Sequence, residues 1–180
     1  MNIMKSPVSF PVSINRLPSK GMPVRIEADA EMRAALAEAH DLVSVERFVA
    51  DVVVTDWKAS GVAVNGKVEA EITQACIVTL EPLTAQIDEP IEATFLPRNS
   101  KLHRLPDPSD ELMIDPEGPD APEILEGDSV DVGAFAEEIF AIAIDPYPRK
   151  PGVEPLNMRE DTEAPMNPLA EKLAALKDKL

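Results

Sequence analysis

Residues 62–72 have the sequence VAVNGKVEAEI, and this stretch decides the fold class. Its apolar side chains lie mainly on even positions, with Lys67 and two glutamates between them, which is the period of two expected of a half-buried β-strand. Asn65-Gly66 tolerates positive φ and therefore indicates a hairpin reversal. A three-residue connection from Asn65 to Lys67 would keep Val64 opposite Val68 on one face. The stretch predicts a pair of antiparallel strands.

The alternation continues on both sides and predicts an antiparallel β-meander from about residue 43 to residue 97. Residues 76–80 keep the even-numbered apolar face, and Glu81-Pro82 then breaks the pattern. A last arm at residues 85–95 has its apolar face on odd positions. Because Pro90 cannot donate a ladder hydrogen bond, we expect this arm to be an edge strand or to carry a bulge.

Residues 45–57 are apolar on both faces, which is typical of a strand with neighbours on either side. We therefore expect this strand in the middle of the sheet, with helices covering one side. Shorter strand patterns precede it at residues 3–14, where prolines indicate a sheet edge, and at residues 22–27.

Two helices are predicted beside the sheet. The first begins at the N-cap Asp29 and ends near His40. The second occupies residues 131–144, with Asp131 as its cap and Asp145-Pro146 as its stop. Its apolar stripe must be buried, most simply against the meander. The stripe consists of Val132, Phe135, Ala136, Ile139, Phe140, Ala143 and Ile144.

Taken together, the patterns predict one α+β domain at residues 1–150. Its antiparallel sheet has five to seven strands, either open or curled toward a barrel, and one main amphipathic helix packs on it. Residues 98–129 lack periodicity and are rich in proline and acids, so we expect a flexible acidic loop. Residues 151–180 are expected to form a flexible tail that ends in a short amphipathic helix, capped by Asn167-Pro168.

The formal net charge of −16 is concentrated in one part of the chain. Residues 106–148 contain 13 acidic residues and no Lys or Arg. Such a run is usually a solvated face, and the alternative is a docking arm for a basic partner.

The single cysteine cannot form an internal disulfide, which favours a reducing compartment. The sequence has neither a signal-peptide pattern nor a run of roughly 18 apolar residues that could cross a membrane. We expect a soluble cytoplasmic protein without membrane contact.

Residues that could carry catalysis are scarce. The only histidines, His40 and His103, are interpreted as surface or capping residues. Cys76 lies on the apolar face of a predicted strand, without a nearby base, and is expected to be a buried, inert thiol. No catalytic, cofactor or metal site is predicted, although a loose divalent-ion site in the acidic loop is an alternative. The chain is not expected to be an enzyme.

Two basic groups are candidates for nucleic-acid binding. One follows the meander and contains Arg98, Lys101 and Arg104, and the other follows the second helix as Arg149-Lys150. If that helix lies on the sheet, the two groups could converge at one end of the domain and contact phosphates. The alternative is ordinary surface charge.

Several short motifs follow one another in a fixed order. Phe95-Leu96-Pro97 ends the meander before the acidic loop. The other motifs are ACIVTLEPL at residues 75–83, SVDVG at 129–133, AIAIDPYP at 141–148 and NPLAEKL at 167–173. Together they resemble the motifs of the YceD family, the large ribosomal RNA subunit accumulation proteins, in a form with an acidic insert that is typical of proteobacterial relatives.

This resemblance implies a non-enzymatic factor in the synthesis or processing of 23S rRNA and in large-subunit assembly. The expected partner is precursor 23S rRNA, and the alternative is an acidic chaperone or adaptor for a basic large-subunit ribosomal protein. Many relatives carry a CxxC pair and a further cysteine downstream. Only Cys76 matches here, so no metal or redox role is carried over.

Overall fold

The computed structural model describes residues 5–58, 61–98, 100, 121–125 and 127–153. It contains a five-stranded sheet in the order β2-β3-β4-β5-β6 and a separate two-stranded sheet of β1 and β7. The strands are β1 (Pro11–Ser13), β2 (Met22–Glu27), β3 (Ser44–Trp57), β4 (Gly61–Ala75), β5 (Pro82–Pro97), β6 (Glu123–Leu125) and β7 (Ser129–Asp131). The helices are α1 (Ala30–Ala39) and α2 (Val132–Ala143), with a short 3-10 turn at Ile14–Arg16. The α+β class is confirmed, and the sheet is open rather than closed into a barrel.

The predicted hairpin at Asn65-Gly66 is wrong, because β4 runs through it without a break. Asn65 pairs with Val53 on one side and Glu92 on the other, and Gly66 pairs with the residues next to them. The unbroken even-numbered face from residue 62 to residue 74 is the sign of one long strand. Glycine is required at position 66 because the backbones of β3 and β4 approach closely there, and not because of a turn. A β carbon on Gly66 would lie 2.1 Å from the carbonyl oxygen of Asp51.

The strand predicted at residues 76–80 is also wrong. The true reversal between β4 and β5 lies there, and Leu80 adopts a left-handed φ of 60° with its side chain 77% exposed. The predicted arms of the meander are thus two long strands, β4 and β5, joined by this turn. β5 is an edge strand over most of its length, as Pro90 indicated, because it pairs with β6 only at Phe95–Pro97.

β3 lies between β2 and β4, which confirms the prediction for an inner strand. Its side chains on one face enter a core shared with α2. Phe48 and Phe140 are both buried and their rings meet edge to face with centroids 5.4 Å apart. Phe95 and Phe135 repeat this arrangement at 5.5 Å, which fastens the first half of α2 to β5.

Both helices begin at their predicted caps. Asp29 Oδ1 accepts from the amide of Met32 at 2.9 Å, and Asp131 Oδ1 accepts from the amide of Ala134 at 3.0 Å. The predicted burial of the α2 stripe is confirmed: Val132, Ala136 and Phe140 are buried, and the other stripe residues are partly buried against the core.

The acidic loop predicted at residues 98–129 contains structure that its composition did not indicate. Glu123–Leu125 form β6, parallel to the end of β5, and Ser129 opens β7. Residues 101–120 lie outside the described part of the chain. Of the strand predicted at residues 3–14, the described residues 5–14 contain only Pro11–Ser13, and the predicted C-terminal helix also lies outside the described residues.

Candidate functional site

One end of the domain is built by the β4–β5 turn, residues 76–81, and by a strap, residues 145–150, that leaves α2. Hydrogen bonds from both backbone and side chains hold the strap in place. Gln74 Nε2 donates to the carbonyl of Asp145 at 2.9 Å, the amide of Ile77 donates to the carbonyl of Pro148 at 2.9 Å, and Lys150 Nζ donates to Glu81 at 2.8 Å. The strap therefore has a fixed position next to the turn.

Cys76 lies at the junction of the turn and the strap. Its side chain is buried, as expected, and its Sγ accepts from the amides of Thr79 and Lys150, each at 3.5 Å. The hydroxyl of Thr79, together with the amides of Thr79, Lys150 and Val78, lowers the pKa of the Cys76 thiol to about 6. The expectation of an inert thiol assumed an apolar environment. The structure instead surrounds the sulfur with donors that favour the thiolate.

The surface of this end is both apolar and basic. Tyr147 is 68% exposed, and Leu80 projects from the turn. Arg149 is exposed, while Lys150 is paired with Glu81. The partner carboxylate raises the pKa of Lys150 and lowers that of Glu81 through their hydrogen bond. The turn and strap thus present an aromatic ring beside guanidinium and ammonium groups.

Arg98 does not lie near Arg149 and Lys150, so this part of the predicted convergence of the two basic groups is wrong. Arg98 follows the carboxyl end of β5, whereas Arg149 and Lys150 lie beside the turn at its amino end. β5 has 16 residues, so Arg98 is separated from these two residues by roughly 50 Å along the strand. Lys101 and Arg104 lie outside the described residues. The structure brings Arg149 and Lys150 together and leaves Arg98 at the opposite end.

A groove of about 1290 Å³ lies on another part of the domain, between the end of α1, the flank of α2 and the strands β6 and β7. Its apolar lining includes Phe95, Ile124 and Phe135. Its carboxylates come from several elements, and they include Glu38, Glu123, Asp131, Glu137 and Glu138. The groove therefore combines an apolar lining with a predominantly acidic rim.

The electrostatics of the rim depend on how far each carboxylate is already neutralised. Burial and the neighbouring charge of Glu138 both raise the pKa of Glu123. Glu137 Oε1 lies 3.0 Å from His40 Nε2 and is largely shielded. Asp131 is satisfied by Ser9 and by the amide of Phe10. Glu137 and Asp131 therefore already have partners, whereas Glu123 and Glu138 repel each other. A cation bound between Glu123 and Glu138 would relieve this repulsion.

Sequence reasoning missed this groove. Glu38, Glu123 and Glu138 belong to three separate elements, and no spacing in the sequence links them. The available signal was the Glu137-Glu138 pair, which lies beside the apolar stripe of α2. Within the described residues, no group of three or more His, Cys, Asp or Glu side chains could hold a metal ion. None of the helices in that part of the chain is long and apolar enough to cross a membrane.

Comparison with known families gives one match. A family model described as "Large ribosomal RNA subunit accumulation protein YceD" matches residues 64–178, which include most of β4 and all of β5, α2 and the strap. No curated protein and no solved structure matched the chain. Since the family model covers more than half of the 180 residues, the chain belongs to the YceD family of large ribosomal RNA subunit accumulation proteins.

Proposed function

We propose that this chain supports the accumulation of large-subunit ribosomal RNA as a non-enzymatic factor that contacts precursor 23S rRNA. Family membership supports the role in large-subunit rRNA accumulation. The observation that carries the proposed contact is the surface formed by Tyr147, Arg149 and Lys150 beside the β4–β5 turn. An exposed aromatic ring can stack on an unpaired base, and neighbouring cations can bind phosphates.

The fixed position of the strap supports this contact. Because hydrogen bonds to Ile77 and Cys76 hold the strap, the backbone that carries the three side chains needs little ordering when they bind. Glu81 neutralises part of the local charge, so the contact should be weak and sensitive to salt. A second contact at Arg98, Lys101 and Arg104 would engage a different part of the RNA, since Arg98 lies at the far end of β5.

Two levels of experiment test the proposal. Depletion of the protein should lower 23S rRNA relative to 16S rRNA, and unchanged rRNA and subunit profiles would contradict the role. At the level of the surface, Arg149→Gln with Lys150→Gln should weaken crosslinking to precursor rRNA. In purified protein the same double variant should also reduce the slope of RNA affinity against salt concentration by the equivalent of up to about two phosphate contacts.

The matched control is Arg16→Gln with Lys20→Gln, which removes the same charge from exposed positions elsewhere. If this control weakens RNA crosslinking as much as the strap variant does, net charge and not the strap determines binding. Tyr147→Ala adds an independent test, because loss of one stacked base corresponds to about 1–3 kcal/mol. An unchanged affinity would remove the stacking contact from the proposal.

A second candidate is an acidic chaperone or adaptor that binds a basic ribosomal protein, and the net charge of −16 favours it. Its test is a pull-down of purified large-subunit proteins at low salt. Neutralising the six acids between residues 107 and 120 should release a basic protein if this segment holds it. Unlike deletion of the whole loop, these substitutions leave β6 intact. Those acids are Asp107, Asp110, Glu111, Asp115, Glu117 and Asp120.

A further inference from the structure

We propose that the groove between α1, α2 and β6 binds a basic amphipathic segment of a protein partner, with its apolar side chains against Phe135 and Ile124 and its cations on the acidic rim. This inference gives the second candidate function a defined binding surface, and it rests on that function for the partner's role in large-subunit assembly. None of the residues of the strap is among the lining residues of the groove.

The lining supplies the apolar half of the argument. Ile124 is 51% exposed although it lies in a strand beside the core, and Phe135 is only partly buried. Leaving such side chains open to water is unfavourable, and their burial by a partner would stabilise a complex. The ring of Phe135 is held edge to face by Phe95, so the apolar surface is already formed before binding.

The rim supplies the charge complementarity. Glu123 and Glu138 both line the groove, and burial together with the neighbouring charge of Glu138 raises the pKa of Glu123. Lys5 and His40 are the basic side chains among the lining residues, and His40 is engaged by Glu137. A lysine or arginine placed between Glu123 and Glu138 would relieve their repulsion. Nucleic acid would meet the same carboxylates with like charge, so the groove favours a protein segment.

Purified full-length protein and two synthetic peptides provide the test. One peptide has leucines and lysines in helical amphipathic order, and the other has the same lysines with serine in place of leucine. Fluorescence anisotropy should show at least tenfold tighter binding of the leucine peptide, since the apolar lining contributes as well as the rim. Equal affinities would overturn the proposal, because simple charge attraction would then explain the binding.

Variants locate the binding within the molecule. Glu123→Gln with Glu138→Gln should weaken binding roughly tenfold. The control Glu89→Gln with Glu92→Gln, which changes two exposed glutamates of β5 outside the groove, should leave binding unchanged. Ile124→Ser should remove the preference for the leucine peptide. Its control is Ile142→Ser, which changes an even more exposed isoleucine outside the groove. The proposal fails if the control variants weaken binding as much as the groove variants do.

A photoreactive residue at Ala141 identifies what occupies the groove. Crosslinks to the leucine peptide support the proposal. Crosslinks to residues 167–180 of the same chain would overturn it, because the chain's own lysine-containing tail would then be the occupant. These experiments use purified components and do not depend on the depletion experiment. A negative result would therefore overturn binding in the groove, while the effect of depletion on 23S rRNA would still test the proposed function separately.

Discussion

The backbone of Gly66 lies so close to Asp51 that a β carbon on the glycine would be 2.1 Å from the aspartate's carbonyl oxygen. Gly66→Ala should therefore force β3 and β4 apart and lower the free energy of unfolding by about 1–3 kcal/mol. Urea denaturation measures this loss. The neighbouring exposed residue provides the control, because Asn65→Ala should change stability by less than about 0.5 kcal/mol. Equal effects of the two variants would contradict the close approach.

Gly133 provides a second test, in which packing and helix propensity have opposite effects. Replacing glycine with alanine inside a helix normally stabilises it by about 1 kcal/mol. Here the new β carbon would lie 1.8 Å from the carbonyl oxygen of Val8, so Gly133→Ala should displace the N-terminal segment and destabilise the protein by about 1 kcal/mol or more. Hydrogen exchange at the amide of Val132, which donates to Phe10, should become faster. A gain in stability would show that the contact is not tight.

Asp131 should make stability depend on pH. Although its burial acts in the opposite direction, hydrogen bonds from Ser9 and from the amides of Ala134, Phe10 and Gly133 lower the pKa of Asp131. A lowered pKa stabilises the fold above the unfolded-state value and loses this effect as the pH falls through the folded-state value. Asp131→Asn should therefore cost up to about 1 kcal/mol at pH 7.

The difference between wild-type protein and Asp131→Asn should stay constant down to about pH 4 and disappear below it, where the wild-type carboxylate also becomes neutral. Urea denaturation at several pH values checks this. The exposed control Glu92→Gln should change stability at pH 7 by less than about 0.5 kcal/mol. A difference that persists at the lowest pH would assign the effect of the substitution to shape and not to charge.

The thiol of Cys76 should make the free energy of unfolding depend on pH in a higher range than Asp131 does. Its pKa of about 6 in the folded protein is below the ordinary value of 9.0, so the thiolate stabilises the fold increasingly as the pH rises between these values. The difference in unfolding free energy between wild-type protein and Cys76→Ala should therefore be larger at pH 9 than at pH 6. Thr79→Ala, which removes the hydroxyl donor, should raise the thiol pKa, and the absorbance of the thiolate follows it directly. The control Thr84→Ala on β5 should leave the pKa unchanged.

Much of the fold follows from side-chain periodicity. The caps Asp29 and Asp131, the inner strand β3 and the buried face of α2 were all predicted, because each depends on residues close together in the sequence. The hairpin at Asn65-Gly66 was not correct, since a glycine required by a neighbouring backbone looks the same in the sequence as a glycine required by a turn. The better signal was that the apolar residues stay on even positions on both sides of Asn65-Gly66.

The candidate sites depend on long-range geometry and were harder to predict. Arg149 and Lys150 were recognised by charge, but their distance from Arg98 depends on the length of β5, which the misplaced hairpin and the misassigned turn concealed. The groove combines Glu38, Glu123 and Glu138 from three elements, and β6 could not be recognised from three residues in a proline-rich stretch. Only the assembled sheet brings these carboxylates near one another.

The open edge of β5 affects whether this protein associates with other copies of itself at high concentration. Between Pro82 and Thr94 the strand has no partner on that side within the described residues, and an open edge of this length is a template for sheet growth between molecules. Pro90 interrupts the row of donors, and Asp88, Glu89 and Glu92 are exposed around it. Two copies brought edge to edge would oppose acid with acid at a position that lacks a donor. The proline and the acids around it therefore disfavour pairing of β5 edges between molecules.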